Sequence, residues 1–380
     1  MQQADFNPFL IRGYLDKEHF CDREQETAEL LRLLLNGNDV VLAAPRRIGK
    51  SGLIQHCFAQ EELQDCYVFY IDIYSTNTLS DFVALLGAEI AEKLRSNGSK
   101  ALHKFWDVVH SLRAGISFDP SGEASLNIQV GDIQESRTTL KEIFEYLANA
   151  DKHCIIAIDE FQQITEYPEK NTEALLRTYI QRCNNANFIY SGSHRHMMAQ
   201  IFLSPSRPFY QSSSPMSLGC IPLEKYILFA QGLFSNAGKS IDADVVAAVY
   251  DNANGLTWYV QKTLNELYSM TERGATCTMD YLPVAMNNIL DNYENTYTDL
   301  IRQLSVKQKA LLLAIAKDGE ATSIQSSAFV KKHRLNSASS VQSGVRMLLD
   351  KAYITECNGR YSIYDLFMQR WLERKNFVLA

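Results

Sequence analysis

The run Val40-Val41-Leu42-Ala43-Ala44-Pro45-Arg46-Arg47-Ile48-Gly49-Lys50-Ser51 constrains this chain more than any other stretch. Apolar residues of strand type end in a turn, Gly-Lys-Ser follows, and 52–58 continues with helical spacing, so a strand, a loop and a helix are expected in that order. A helix that begins there aims unpaired N–H groups and a positive dipole end into the loop, which makes a seat for a phosphate chain. On this reading Pro45, Arg46, Arg47, Ile48, Gly49, Lys50, Ser51 and Gly52 line a nucleotide site. Gly49 lets the backbone approach, Lys50 neutralises phosphate oxygens, and the Ser51 hydroxyl holds Mg²⁺. The first position of the G-x-x-x-x-G-K-[ST] pattern is Ala44 instead of Gly, and Pro45 is expected to set the turn by stiffness.

A second motif fits the first. In Cys154-Ile155-Ile156-Ala157-Ile158-Asp159-Glu160-Phe161 an apolar strand ends in two acids, at the edge where open α/β sheets bind ligands. Asp159 is expected to hold Mg²⁺ through water and Glu160 to orient and polarise an attacking water. A further strand, Asn187-Phe188-Ile189-Tyr190-Ser191-Gly192-Ser193, ends in small polar residues. Ser191 or Ser193 could meet the terminal phosphate there, or Ser-Gly-Ser is a plain turn. Upstream, Phe20 and Arg23 are candidates for the pocket of the nucleotide base, or belong to an arm packed on the core.

At 380 residues the chain has room for two or three domains. Hydrophobic content of 46% with 21% charged residues describes a folded protein. No apolar run reaches bilayer length and the first residues lack the features of a leader, so a cytoplasmic protein with no membrane partner is expected. The eight cysteines are scattered without a C-x-x-C pair and the histidines without metal-ligand spacing, which argues for reduced core thiols and against a zinc site.

The formal net charge of −7 is unevenly placed. Residues 300–380 hold 13 Lys and Arg against 6 Asp and Glu, so the tail is basic while the remainder is acidic. Periodicity places helical segments at 223–235, 242–253, 256–272 and 279–293, a small lid. Helices at 306–316, 326–333 and 337–351 and an Asn-Gly hairpin over 353–363 follow, the pattern of a winged helix-turn-helix. In the third of these helices Val341, Val345, Leu348 and Leu349 form the apolar face. Ser339, Ser340, Gln342, Ser343 and Arg346, with Arg360 on the wing, are left to reach duplex DNA; winged helices also serve protein contacts, and a protein partner or self-association is the other expectation. The expected parts are 1–220, an α/β nucleotide domain with an insert at about 97–150; 221–298, the lid; and 299–380, the winged helix.

Taken together, Phe20-Cys21-Asp22-Arg23-Glu24, the Pro45-Arg46-Arg47-Ile48-Gly49-Lys50 loop, Ile155-Ile156-Ala157-Ile158-Asp159-Glu160-Phe161, Ser191-Gly192-Ser193, Gly255-Leu256-Thr257-Trp258-Tyr259-Val260-Gln261 and the winged tail resemble the archaeal-type ATPase family. This is a branch of the signal-transduction ATPases with numerous domains, related to AAA+ proteins of the origin-recognition type. The resemblance implies a P-loop NTPase fold, α/β in three layers with a parallel sheet, followed by a helical lid and a winged helix. It implies ATP and Mg²⁺ as ligands, with Lys50 and Ser51 binding them, Asp159 as metal-side acid, Glu160 as catalytic base and Ser193 as a sensor. The lid helix has Trp258 and Tyr259 where many AAA+ proteins present an arginine, and an arginine finger would have to be Arg195 or Arg207, so slow hydrolysis is expected. The expected activity is a nucleotide-gated ATPase switch. A DNA-binding regulator with a structural nucleotide site is the alternative, and a metabolic kinase, for which no acceptor pocket is visible, a weaker third.

Overall fold

In the computed structural model, which describes residues 6–96, 99–112, 117–118, 124–125, 136–357 and 359–376, the chain divides into two compact units. One is Arg12–Lys225; the other is Tyr226–Ala380 together with the residues up to Ile11.

The first unit begins with α1 (Glu24–Leu35), β1 (Val40–Ala43), α2 (Lys50–Phe58) and β2 (Tyr67–Asp72), followed by α3 (Leu79–Ser96) and α4 (Ser99–Val108). A short antiparallel pair joins β3 (Ser117–Phe118) to β4 (Ala124–Ser125) within 116–130, where apolar and polar residues alternate on both sides of a turn cluster as in a hairpin; the other residues of 116–130 lie outside the described residues. Then come α5 (Ser136–Asn149), β5 (Cys154–Asp159), α6 (Thr172–Arg182), β6 (Ala186–Gly192), α7 (Arg195–Leu203) and β7 (Ser214–Met216). Five strands form one parallel sheet in the order β2-β5-β6-β1-β7. Every residue of β5 and β6 is buried, as strands covered on both faces should be. Because β6 lies between β1 and β5, the ends of the loop strand, the Asp-Glu strand and the Ser-Gly-Ser strand emerge side by side. A cluster of Phe161, Tyr190, Phe202 and Phe209, with ring centroids 4.7 to 5.7 Å apart, packs beneath that edge.

Strand β7 falls within 204–222, a stretch rich in Ser and Pro whose periodicity shows no strand. It pairs with β1 alone, and Pro215 is tolerated there because an edge strand needs no N–H on its free side. The cysteines are all free thiols. Burial pushes Cys57 and Cys154 up to about 12, which keeps them protonated and inert.

The second unit takes in α8 (Leu223–Asn236) from Tyr226 on, then β8 (Ser240–Ile241), α9 (Ala243–Asn252), α10 (Thr257–Met270), β9 (Thr276–Cys277) and α11 (Tyr281–Arg302). Phe9 packs among Phe229, Phe234 and Tyr268, and Asn7 and Asn265 donate to backbone carbonyls at Asn265 and Phe9, each at 2.8 Å, so the N-terminal arm belongs to these helices. The unit closes with α12 (Val306–Asp318), β10 (Ala321–Thr322), α13 (Ser327–Lys332), α14 (Ala338–Asp350), β11 (Ile354–Cys357), β12 (Arg360–Ile363) and α15 (Leu366–Asn376). Strands β10-β12-β11 form an antiparallel wing. The three helices α12, α13 and α14 each start on a serine, Ser305, Ser326 and Ser337, whose hydroxyl accepts a backbone N–H three residues on. A Cβ at Gly344 would stand 2.9 Å from Leu311 Cδ2, so that glycine lets α14 approach α12 closely. Helix α15 has no counterpart among the expected elements. Phe367, Met368, Trp371 and Leu372 are buried in it by packing against α11 and α12, which local periodicity does not reveal. Among the described residues no helix is long and apolar enough to cross a membrane.

Candidate active site

Ala44 does not need a positive φ, which is why alanine serves at the first loop position; its N–H donates to Gly192 O at 3.3 Å. The left-handed residues of the loop are Arg47 (φ 66°) and Gly49 (φ 102°), and Gly49 sits immediately before α2. Lys50 is only 6% exposed, and Nζ donates to Ala44 O at 2.9 Å and Pro45 O at 3.0 Å, both neutral carbonyls of its own loop. Burial lowers its pKa, while the nearby Glu160 and Asp159 carboxylates pull it back up. The loop therefore encloses a dry positive charge at a helix N-terminus.

Ser51 Oγ donates to Asp159 Oδ2 at 2.7 Å, and the Tyr70 hydroxyl donates to the same oxygen. Burial raises the Asp159 pKa, but the hydrogen bonds from Tyr70 and Ser51 and the charge of Lys50 outweigh it, so the carboxyl stays below its ordinary value. Tyr70 is a site residue that sequence reasoning missed. It lies on β2, a mostly apolar strand, and its one signal is a hydroxyl two residues from the polar end of that strand. The burial that makes the strand cohere also pushes the phenol well above its ordinary pKa, so it remains a donor.

Glu160 takes a left-handed backbone conformation (φ 55°), uncommon for a residue with a side chain, as the chain turns off β5. Its Oε2 accepts from Ser193 Oγ at 2.6 Å, Ser193 N at 3.3 Å and Gln162 Nε2 at 2.5 Å. Arg46 Nε donates to Ser193 Oγ at 3.1 Å and lies 3.9 Å from Glu160 Oε1, and its guanidinium sits 5.3 Å from the centroid of the Tyr74 ring. Gly192 leaves no room for a side chain: a Cβ there would meet Gln162 Oε1 and Met198 Sδ, each at 2.5 Å.

The remaining sequence candidates are more dispersed. Arg23 is buried, ion-paired with Glu26, and donates to Gly219 O at 2.7 Å and Ile48 O at 3.4 Å, so it braces the loop through its backbone. Phe20 stacks on His56 of α2 at 4.4 Å and lies 3.3 Å from where a Gly52 Cβ would stand. Arg207 is ion-paired with Glu173, while Arg195 is exposed at the start of α7. In the other unit Trp258 Nε1 donates to Ile11 O at 3.1 Å, and the Tyr259 hydroxyl accepts from Leu366 N at 3.0 Å, which gives both rings structural work. On α14 Ser339, Gln342, Ser343 and Arg346 are exposed and Ser340 is half-buried; Arg360 on the wing is ion-paired with Glu320 at 2.9 Å.

Comparison with known proteins adds to this geometry. Residues 20–200 match the family described as "ATPase domain predominantly from Archaea", and residues 295–374 match "Probable winged helix domain". The fold is similar to the Walker-type ATPase paby2304 of Pyrococcus abyssi, with 17% identity, coverage of 96% of this chain and 99% of that one, and a TM-score of 0.66. It is similar to the ORC2 protein of Aeropyrum pernix in ADPNP-ADP complexes, with 14% identity, 99% and 98% coverage and a TM-score of 0.61. The ORC1 protein of Aeropyrum pernix, solved in complex with DNA, is similar at 14% identity, 95% and 94% coverage and a TM-score of 0.52. The comparison with curated proteins found no match. At such identities the likeness establishes a fold and leaves the chemistry to the residues.

Proposed function

This chain carries a P-loop ATPase domain of the predominantly archaeal family, followed by a winged helix, and on that premise we propose that it is a slow, Mg²⁺-dependent ATPase switch acting on duplex DNA through the winged helix. The observation that carries the reading is the meeting of buried Lys50, the Ser51–Asp159 pair and Glu160 at one edge of the sheet.

The residues fit both ligands. A dry ammonium whose hydrogen bonds go to neutral carbonyls, at the N-terminus of α2, suits an anionic phosphate chain. A hydroxyl and a carboxylate 2.7 Å apart suit a hard divalent cation.

Ser51 and Asp159 would hold Mg²⁺, which would supply positive charge to the phosphate oxygens. Lys50 neutralises the same oxygens. Glu160 takes a proton from a water whose oxygen bonds to the terminal phosphorus; the bond from that phosphorus to the bridging oxygen breaks, and ADP and phosphate result. Ser193 and Gln162 hold Glu160 through Oε2, which leaves Oε1 to accept the proton of that water.

A switch needs contacts that the terminal phosphate makes in one state and not in another, and Glu160 and Ser193 are placed to make them. Duplex DNA as the partner is supported by the exposed polar face of α14, by the excess of Lys and Arg over 300–380, and by a fold shared with a protein solved in complex with DNA. Titrating Mg-ATP into wild type and Lys50→Ala, and measuring turnover with and without duplex DNA, tests the reading. Loss of binding in the variant and wild-type turnover that rises with DNA are the expected results; undiminished nucleotide affinity in Lys50→Ala refutes it. Wild type that binds ATP and turns none over points instead to the regulator with a structural nucleotide.

A further inference from the structure

We infer that Arg46 is the terminal-phosphate sensor of this site, a cation supplied by the phosphate loop itself that trades its contacts with Ser193 and Glu160 for the γ-phosphate of ATP. The inference rests on the nucleotide reading above and adds the residue by which the site tells ATP from ADP.

Arg46 lies two positions after Ala44 in the loop, yet its side chain reaches the ends of two other strands. Nε donates to Ser193 Oγ at 3.1 Å and stands 3.9 Å from Glu160 Oε1. Ser193 and Glu160 are themselves joined at 2.6 Å, so any group those two side chains hold lies within the guanidinium's own reach. Tyr74, just beyond β2, places its ring centroid 5.3 Å from the guanidinium carbon, within cation–π range.

The contacts of Arg46 with Ser193 and Glu160 are of a kind that a phosphate can displace. The approach to Glu160 is beyond hydrogen-bond distance, and the Arg46 side chain is 30% exposed, so the ion pair is partly screened. A planar guanidinium meets a phosphate through two parallel charge-assisted hydrogen bonds, which are stronger than one bond to a neutral hydroxyl. The exchange also releases Ser193 and Glu160 for the reacting water. ADP lacks the γ-phosphate and leaves Arg46 where it is, so nucleotide identity is recorded in the position of one side chain.

Other cations are less well placed. Arg207 is ion-paired with Glu173, whose carboxylate is mostly buried. His194 follows Ser193, but partial desolvation and the charge of Arg46 lower its pKa and favour the neutral ring. Lys50 is deeper in the loop, where it serves ATP and ADP alike.

Equilibrium titration of the full chain with Mg-ADP and with a non-hydrolysable Mg-ATP analogue tests this, for wild type, Arg46→Ala, Arg46→Gln and Arg46→Lys. The expected result is a loss of about tenfold or more in affinity for the ATP analogue in the Ala and Gln variants. ADP affinity should change by less than about twofold, and Lys should recover part of the loss. Equal weakening of both nucleotides, or no weakening of either, overturns the inference while leaving the nucleotide site standing. Wild type that binds neither nucleotide overturns the site itself, and with it the role of Arg46. Gln keeps a hydrogen bond to Ser193 available without the charge, so the sensor remains testable if Arg46→Ala unfolds.

Discussion

The Ser51 hydroxyl donates to Asp159 Oδ2 at 2.7 Å, joining the first turn of α2 to the end of β5 across 108 positions of sequence. The Tyr70 hydroxyl donates to the same oxygen, so a buried carboxylate is held charged by hydroxyls from two sides. Because its folded pKa is depressed, Asp159 contributes stability above the carboxylate's unfolded pKa, and that contribution is lost as pH falls through the folded value. Tyr70→Phe should therefore cost about 1–3 kcal/mol near pH 7 and less at pH 3, read by urea denaturation at both values. Equal losses at the two pH values would show that the phenol serves packing alone.

Glu160→Gln should keep ATP bound and lower turnover by roughly 100-fold or more, the range of a general base. Single-turnover measurement on the preloaded protein separates this from weakened binding. Turnover within a few-fold of wild type would remove Glu160 from the chemistry.

At Gly192 a Cβ would stand 2.5 Å from both Gln162 Oε1 and Met198 Sδ. Gln162 donates to Glu160, so relief of that clash would disturb the Glu160 carboxylate as well as the packing. Gly192→Ala should destabilise by about 1–3 kcal/mol, seen as a lower Tm, and should reduce turnover further than the stability loss explains. A variant with wild-type Tm and activity would mean that the neighbouring side chains make room at no cost.

At the opposite edge of the sheet, burial pushes Asp39 up to about 6, against a hydrogen bond from Phe188 N at 2.8 Å and the pull of Arg177. A carboxyl with a raised folded pKa holds its proton better folded than unfolded. Its contribution is full below the unfolded value of about 3.9 and is lost as pH rises to about 6. Asp39→Asn keeps an acceptor for Phe188 and cannot ionise, so its stability relative to wild type should rise between pH 4 and 7, by up to about 3 kcal/mol. Parallel stability curves for the two proteins over that window would contradict the shift.

Arg346 is exposed on α14, beside Gln342 and Ser343. If this face meets phosphates, Arg346→Ala should weaken duplex DNA binding across sequences and reduce the slope of log affinity against log salt by about 1. Binding with an unchanged slope would move the contact elsewhere on the winged helix.

Much of the candidate site was legible because its motifs are local. A strand that ends in Gly-Lys-Ser, a strand that ends in Asp-Glu and a Ser-Gly-Ser turn each declare themselves within a dozen residues, and strand ends are where a parallel sheet gathers its ligands. Sequence also marked the winged tail, through helices at the right spacing and an excess of basic residues. Its reach ended at β7 and α15. The pairing of β7 with β1, at an edge that tolerates Pro215, and the burial of Trp371 depend on neighbours that local periodicity does not encode.

The sequence by itself determined that a phosphate loop, two acids and a pair of serines would end three strands. Only the tertiary structure decided which of these side chains touch. The order β2-β5-β6-β1-β7 sets β6 between the loop strand and the acidic strand, which brings Arg46 to Ser193 across 147 positions and sets Tyr70 against Asp159 across 89. The physical reason is that strand type and turn type follow from near neighbours along the chain, whereas strand order and the partners of a buried polar group follow from the packing of the whole domain.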